Sequence, residues 1–251
     1  MSNFNPYTPA PNFPVEEALI QKISIQPIEL FKRSYAMIRE QYWLFFAIVL
    51  LGILLGSVVP FGILMGPFMV GIYLCFIQRE QGNRVQFETL FKGFDYFMNA
   101  FVAMLIMVGV SLLLMIPLFI AFLVAMITMI PRNGGGDPGL AFAAIIIPLY
   151  LSIILVSVAI YIPFIFTFQL IADRGLSASQ AVLTSLSGVR SNLIGILLFV
   201  FVSMVASILC AMLCYFPTFL FMPIMMGANF LLYRDIYGPR PTGMNSPLGV
   251  R

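Results

Sequence analysis

Cys210 and Cys214 stand four residues apart in an apolar run, so a helix would set both thiols on one face as a pair of soft metal ligands. The sequence has no histidine and that run has no carboxylate to complete the coordination, so these thiols and Cys75 read as small buried hydrophobes. The missing histidine also removes the commonest general base. Ser111, Ser152, Ser157, Ser203 and Ser207 lie in apolar sequence with no lysine or carboxylate in the same runs to activate them. Aspartate is absent there too, which excludes intramembrane aspartyl chemistry. Glu88, Asp95 and Asp173, at the borders of the apolar runs, are the carboxylates that a lipid-modifying enzyme would have to use. The turn Asn133-Gly134-Gly135-Gly136-Asp137 lacks the lysine of a phosphate-binding loop. No catalytic, cofactor-binding or metal-binding residue is therefore assigned. The chain is expected not to be an enzyme, and no cofactor is expected.

The elements that would carry any such chemistry are membrane helices. Residues 41–78, 96–131, 138–172 and 191–233 contain no charged side chain, and all thirteen basic and ten acidic residues are crowded between and around them. A charge at the centre of a bilayer costs roughly 2.5–3.5 kcal/mol on insertion scales. A hydrophobic fraction of 61% with 9% charged residues points the same way. About 20 apolar residues cross a hydrocarbon core about 30 Å thick, so the first and last stretches each require two helices. The spans are read as about Tyr42 to Val59, Phe61 to Ile77, Ala100 to Ile130, Leu140 to Ile171, Leu193 to Cys214 and Thr218 to Tyr233. Pro60 and Pro217 mark the hairpin turns, and Pro117, Pro148 and Pro163 are bend points in the two long middle helices. An eight-span arrangement would break both middle blocks and needs two more turns in uncharged sequence.

Of the basic residues, only Arg132 lies between the two middle blocks; with six spans, the other twelve fall on one side. The positive-inside rule then places both termini in the cytoplasm and the protein in a cell inner membrane. Glu16, Glu17, Glu29, Glu40, Glu80, Glu88, Asp95 and Asp173 are scattered among these cations, which argues against nucleic acid as a partner. The first apolar run begins near Tyr42 and acidic residues precede it, so the first helix reads as an uncleaved anchor. Three amphipathic surface helices precede spans. One starts at Pro27 with Ile28, Phe31, Tyr35, Ile38 and Tyr42 at steps of three and four. A second carries Phe87, Leu90, Phe91, Phe94, Phe97 and Phe101. The third starts near Ser177, with Gln180 completing a capping box. Residues 1–26 and 237–251 read as mobile cytoplasmic tails around a membrane domain over 27–236.

Pro67 and Gly71 recur as Pro223 and Gly227, and Pro60 recurs as Pro217, each hairpin following a surface helix. This is the pattern of a parallel internal repeat. Leu90-Phe91-Lys92 echoes Leu30-Phe31-Lys32 and suggests a partial third copy. Gly52 with Gly56, and Ser203 with Ser207 and Ala211, form small-residue faces suited to close helix approach. Gln169, Asn229, Tyr150, Tyr161 and Thr167 are the neutral polar groups a solute pathway would use, and the same groups serve equally as interhelical hydrogen-bond partners or interfacial anchors.

Leu30-Phe31-Lys32-Arg33-Ser34, the Pro60 to Glu80 hairpin with Gly66, Leu90-Phe91-Lys92-Gly93-Phe94, and Ala172-Asp173-Arg174-Gly175 leading to Ala181 and Ser185 carry a resemblance. The chain resembles a bacterial group of multi-helix integral membrane proteins of unknown function, related to the membrane domain fused to some glycerophosphodiester phosphodiesterases. The resemblance covers most of residues 27–236. It implies an all-α polytopic bundle without established chemistry, and it transfers no catalytic residue. The expected role is a non-enzymatic scaffold or accessory module organising membrane lipids, partner membrane proteins or copies of itself. The alternative is a transporter or channel for a neutral or lipid-like solute.

Overall fold

The computed structural model describes residues 20–58, 62–129, 138–213 and 216–239. Pro60, Arg132, the glycine-rich turn, Cys214 and the outer parts of both tails lie outside these ranges. The described residues form nine α-helices and no strand. These are α1 (Pro27–Ile38), α2 (Tyr42–Val58), α3 (Met65–Glu80), α4 (Phe97–Met129), α5 (Pro138–Phe164), α6 (Thr167–Arg174), α7 (Ala178–Ser191), α8 (Leu193–Met212) and α9 (Phe216–Tyr237). Pro27 opens α1, where its missing N–H removes nothing. The expected capping box is present at α7, with the Ser177 hydroxyl and the Gln180 amide closing it reciprocally.

The chain is a membrane helix bundle. Among the described residues, five helical stretches are long and apolar enough to cross a bilayer, beginning at Pro27, Phe87, Ala143, Leu193 and Phe216. At 16 residues, α3 is about 24 Å long at 1.5 Å per residue, shorter than a full crossing. Two elements depart from the sequence reading. The second surface helix is a 3-10 segment over Phe87–Tyr96 that runs straight into α4, and the fourth long stretch breaks after Phe164, just past Pro163, restarting as α6.

The chain divides into two compact units: the described parts of Met1–Met104 with Phe164–Arg251, and Leu105–Pro163. In the first, α3, α6 and α9 pack together, and each receives one surface element: α1 lies on α9, the 3-10 segment on α3, and α7 on α6. Each docking uses a small residue. The Ser34 hydroxyl donates to the Ile224 carbonyl at 2.7 Å, and the Phe166 N–H donates to the Ser185 hydroxyl at 3.2 Å. Gly93 lies so close to α3 that a Cβ there would sit 2.1 Å from the Pro67 carbonyl oxygen. The three central helices end alike. Arg79-Glu80, Asp173-Arg174 and Arg234-Asp235 are followed within three residues by Gly82, Gly175 and Gly238, all at positive φ (78°, 64° and 71°). Each glycine stops its helix in the left-handed conformation that other residues avoid.

These features extend the repeat to three copies. Pro67, Gly71 and Tyr73 of α3 are spaced as Pro223, Gly227 and Asn229 of α9, and Pro163, Thr167 and Gln169 show the same steps. The third copy escapes a search for Pro-x-x-x-Gly because threonine replaces the glycine. The first surface helix buries a second line of residues against the protein. Leu30, Ser34 and Ile38 are buried against the fold, whereas Ile28 and Tyr35 are exposed. Residues 20–26 continue the core at its edge: the Gln21 N–H donates to the Ile236 carbonyl at 2.9 Å, and Asn192 bonds both Ile23 N–H and the Gln21 carbonyl.

The second unit is the greater part of α4 and α5. Leu113, Phe119, Ile127, Tyr150 and Leu155 are each 60–72% exposed, a surface compatible with lipid. Ser111 and Ser152 return their hydroxyls to the carbonyls four residues back, at 2.7 Å each, a local bond that needs no water.

Candidate functional site

The most polar part of the first unit's interior lies among α3, α6 and α9, in two layers. The inner layer is made by one residue from each repeat at the same register. Asn229 Nδ2 donates to the Tyr73 hydroxyl at 3.2 Å. With the Gln169 amide turned to satisfy both its ends, its oxygen accepts from Asn229 Nδ2 at 3.3 Å and its nitrogen donates to the Ile165 carbonyl at 2.8 Å. Gln169 and Asn229 are 1% and 6% exposed, so these bonds replace water that cannot enter. Asn229 Oδ1 and Thr167 Oγ1 are buried without a partner.

The outer layer is ionic and lies where the three helices end. Arg234 of α9 reaches Asp173 of α6 through two nitrogens, at 2.7 and 3.0 Å, and Glu80 of α3 through Nε at 2.8 Å. The Tyr233 hydroxyl donates to Asp173 at 2.8 Å. The Asp173 side chain is 1% exposed and that of Arg234 10%. The Arg234 guanidinium also lies 5.3 Å and 5.6 Å from the ring centroids of Phe230 and Tyr233, an arrangement in which a buried cation is partly resolvated by aromatic faces. Beside it, Arg174 donates to the Tyr237 carbonyl at 2.7 Å, and the Tyr237 hydroxyl donates to the Thr184 carbonyl at 2.8 Å. Farther out, Arg33 pairs with Asp235 at 2.8 Å and Arg79 with Glu40. The hydrogen bond and charge of Arg79 hold the exposed Glu40 carboxyl below the usual carboxylate range.

Chemically, this constellation fastens three helix ends. Asp173 has both oxygens engaged, by an arginine and a tyrosine. Among the three carboxylates singled out from sequence, Asp173 is thus inside the fold, while Glu88 and Asp95 stand on the exposed side of the 3-10 segment. Of the neutral polar candidates, Gln169 and Asn229 meet, Thr167 is buried, and Tyr150 and Tyr161 are 67% and 45% exposed. Ser203 and Ser207 bond carbonyls of their own helix. Gly52 and Gly56 face Ile72 and Met65, so that pair brings α2 against α3 within the chain. Cys75 is buried and Cys210 half-buried, both as free thiols. Sequence reasoning missed Tyr73 and the Arg234 cluster. The signal for Tyr73 was its place six residues after Pro67, matching Asn229 after Pro223.

A hollow of about 540 Å³ lies open beside these pairs, lined by Arg33, Ala36, Met37, Arg79, Glu80 and Leu231 among others. Searches against protein-family models, curated proteins and solved structures return no match to the chain.

Proposed function

We propose that this chain is a non-enzymatic module of a cell inner membrane that organises lipids or partner membrane proteins. The observation that carries the reading is the commitment of its buried ionisable groups to one another. Asp173, Arg234, Glu80 and Tyr233 are joined in one network, which leaves them no base or nucleophile to offer a substrate. The outward faces of α4, α5 and α8, by contrast, are continuous apolar surface, which lipid or another membrane helix would cover. Six crossings with α3 as a short second span, and both chain ends in the cytoplasm, complete the reading. It is supported by the excess of basic residues on one side and by the bond from Gln21 to Ile236, which holds the start of the described chain beside the end of α9. Kinship with the multi-helix membrane group resembled in sequence belongs to the same proposal. Release of the protein into native nanodiscs followed by mass spectrometry tests it: a stoichiometric lipid or protein companion is expected. Bare protein with only bulk lipid overturns it.

One observation favours a second reading, passage of a neutral or lipid-like solute: the two buried oxygens on Asn229 and Thr167 have no partner in a region of paired groups. Saturable solute flux into liposomes containing the purified protein, lost on Asn229→Leu, would establish it in place of the first.

A further inference from the structure

Along α1, through the 3-10 turn Arg39–Gln41 and into α2, Ile28, Lys32, Tyr35, Arg39 and Trp43 recur at steps of four and three and are all exposed. The spacing makes them one stripe, in which cations alternate with apolar or aromatic side chains. Ile28, Tyr35 and Trp43 are 65%, 53% and 71% exposed. The neighbouring arginines are used within the fold, Arg33 on Asp235 and Arg79 on Glu40. Lys32 and Arg39 have no ion-pair partner among the described residues. Seven residues separate them, about 10 Å along a helix.

We propose that this stripe is a binding site for the phosphate headgroups of anionic glycerophospholipids. It rests on the reading of the chain as a module that organises lipids, and it names the lipid class. Two arguments select that occupant. The stripe ends where α2, a helix of uncharged residues, begins, so it lies at the boundary where tryptophan and tyrosine bury a ring and keep a polar edge wet. The long stems of Lys32 and Arg39 cover apolar surface while their heads reach outward to phosphate. A soluble polyanion would have to desolvate Ile28 and Trp43 without covering them in hydrocarbon, whereas a lipid supplies acyl chain and phosphate together. Glu29 and Glu40 flank the stripe, but Glu40 is held by Arg79 and Glu29 acts on Arg33, whereas Lys92 on the 3-10 segment stands between Glu88 and Asp95 with no ion pair to either.

Trp43 is the only tryptophan in the chain, so its fluorescence reports on this site without further labelling. The intact protein is placed in nanodiscs of phosphatidylcholine containing a fixed mole fraction of brominated phosphatidylcholine or brominated phosphatidylglycerol. Quenching by the anionic lipid is expected to exceed that by the neutral one, with a preference of about fivefold for each basic residue. The double variant Lys32→Gln/Arg39→Gln should lose that preference, Lys92→Gln should retain it, and raised salt should weaken it. Equal quenching by the two lipids in the unmodified protein overturns the proposal, as does a preference that survives the double variant. Loss of the preference on adding inorganic phosphate at constant ionic strength overturns it in favour of a free-phosphate site. A shifted unfolding midpoint in the double variant is resolved by Lys32→Arg/Arg39→Lys, which keeps both charges and must restore the preference. The companion measurement by nanodisc mass spectrometry can fail without affecting this result. An absent preference at Trp43 likewise leaves a protein companion intact, so the two readings fail separately.

Discussion

Among the described residues, Arg234 is the one on which the most pairings converge, since it alone touches carboxylates from two other helices, Asp173 and Glu80. A buried ion pair gains little over apolar packing, but removing one partner strands the other. Arg234→Met is therefore expected to lower stability by about 3–5 kcal/mol, and the further change Asp173→Leu should recover much of that loss. Denaturant unfolding in detergent micelles reads both; a single variant as stable as the parent would show that Asp173 is not stranded. Close backbone approach gives a second residue-level expectation. A Cβ on Gly71 would lie 1.9 Å from the Leu90 carbonyl oxygen, whereas one on Gly109 meets nothing within 4 Å. Gly71→Ala should cost about 1–3 kcal/mol or more, while Gly109→Ala should cost nothing measurable, and equal thermal midpoints for the two would contradict the packing. Neither partner could be seen in the sequence. Asp173 and Arg234 are 61 positions apart, and a polar gap reveals that a charge is near the membrane boundary without revealing what it meets.

Among the elements, α7 was the most legible, because a capping box is a local device: Ser177 and Gln180 satisfy the first orphan donors by themselves. The aromatic segment over Phe87–Tyr96 was legible as a surface element but not as a 3-10 helix. Over ten residues the periods of 3.0 and 3.6 separate by less than two positions, and here tertiary contact decides. Gly93 lets the segment settle on Pro67 and Gly71, a closeness no side chain would permit. On α1 the apolar spacing marked a surface helix but did not reveal the line packed against the protein, Leu30, Ser34 and Ile38. A helix between protein and lipid has two partners, and hydropathy alone does not separate them. Element ends carry their own expectation. Gly175 closes α6 at φ 64°, and a Cβ added there would meet no atom within 4 Å, so Gly175→Ala tests backbone strain without steric overlap. It should lower stability by roughly 1–2 kcal/mol, read as a drop in thermal midpoint, and an unchanged midpoint would mean that the α6 to α7 turn relaxes freely.

For the whole molecule, the three-copy pattern accounts for features that separate helices do not. Every copy of a surface element followed by an outbound and a closing helix ends at a left-handed glycine, and the three closing ends meet through Arg234, Asp173 and Glu80. The fold class was legible because uncharged runs are dictated by the solvent, residue by residue. The third copy was not, since Thr167 stands where the other two have glycine, and its partner residue Gln169 matches Tyr73 and Asn229 only in being polar. Because the closing ends share one location, and the Gln21 N–H is bonded to the Ile236 carbonyl, the described start and end of the chain must face the same compartment. In the six-span arrangement proposed above, twelve of the thirteen basic residues lie on that side, and the positive-inside rule would make it cytoplasmic. In a background with all three cysteines replaced, Lys22→Cys and Gly238→Cys should both react with a membrane-impermeant maleimide in inside-out vesicles and be protected in right-side-out cells. Asn133→Cys should show the reverse pattern. Opposite labelling of the first two would separate ends that the hydrogen bond joins. Reaction of all three from the same face would instead remove the crossings of the middle block while leaving the ion-paired helix ends in place.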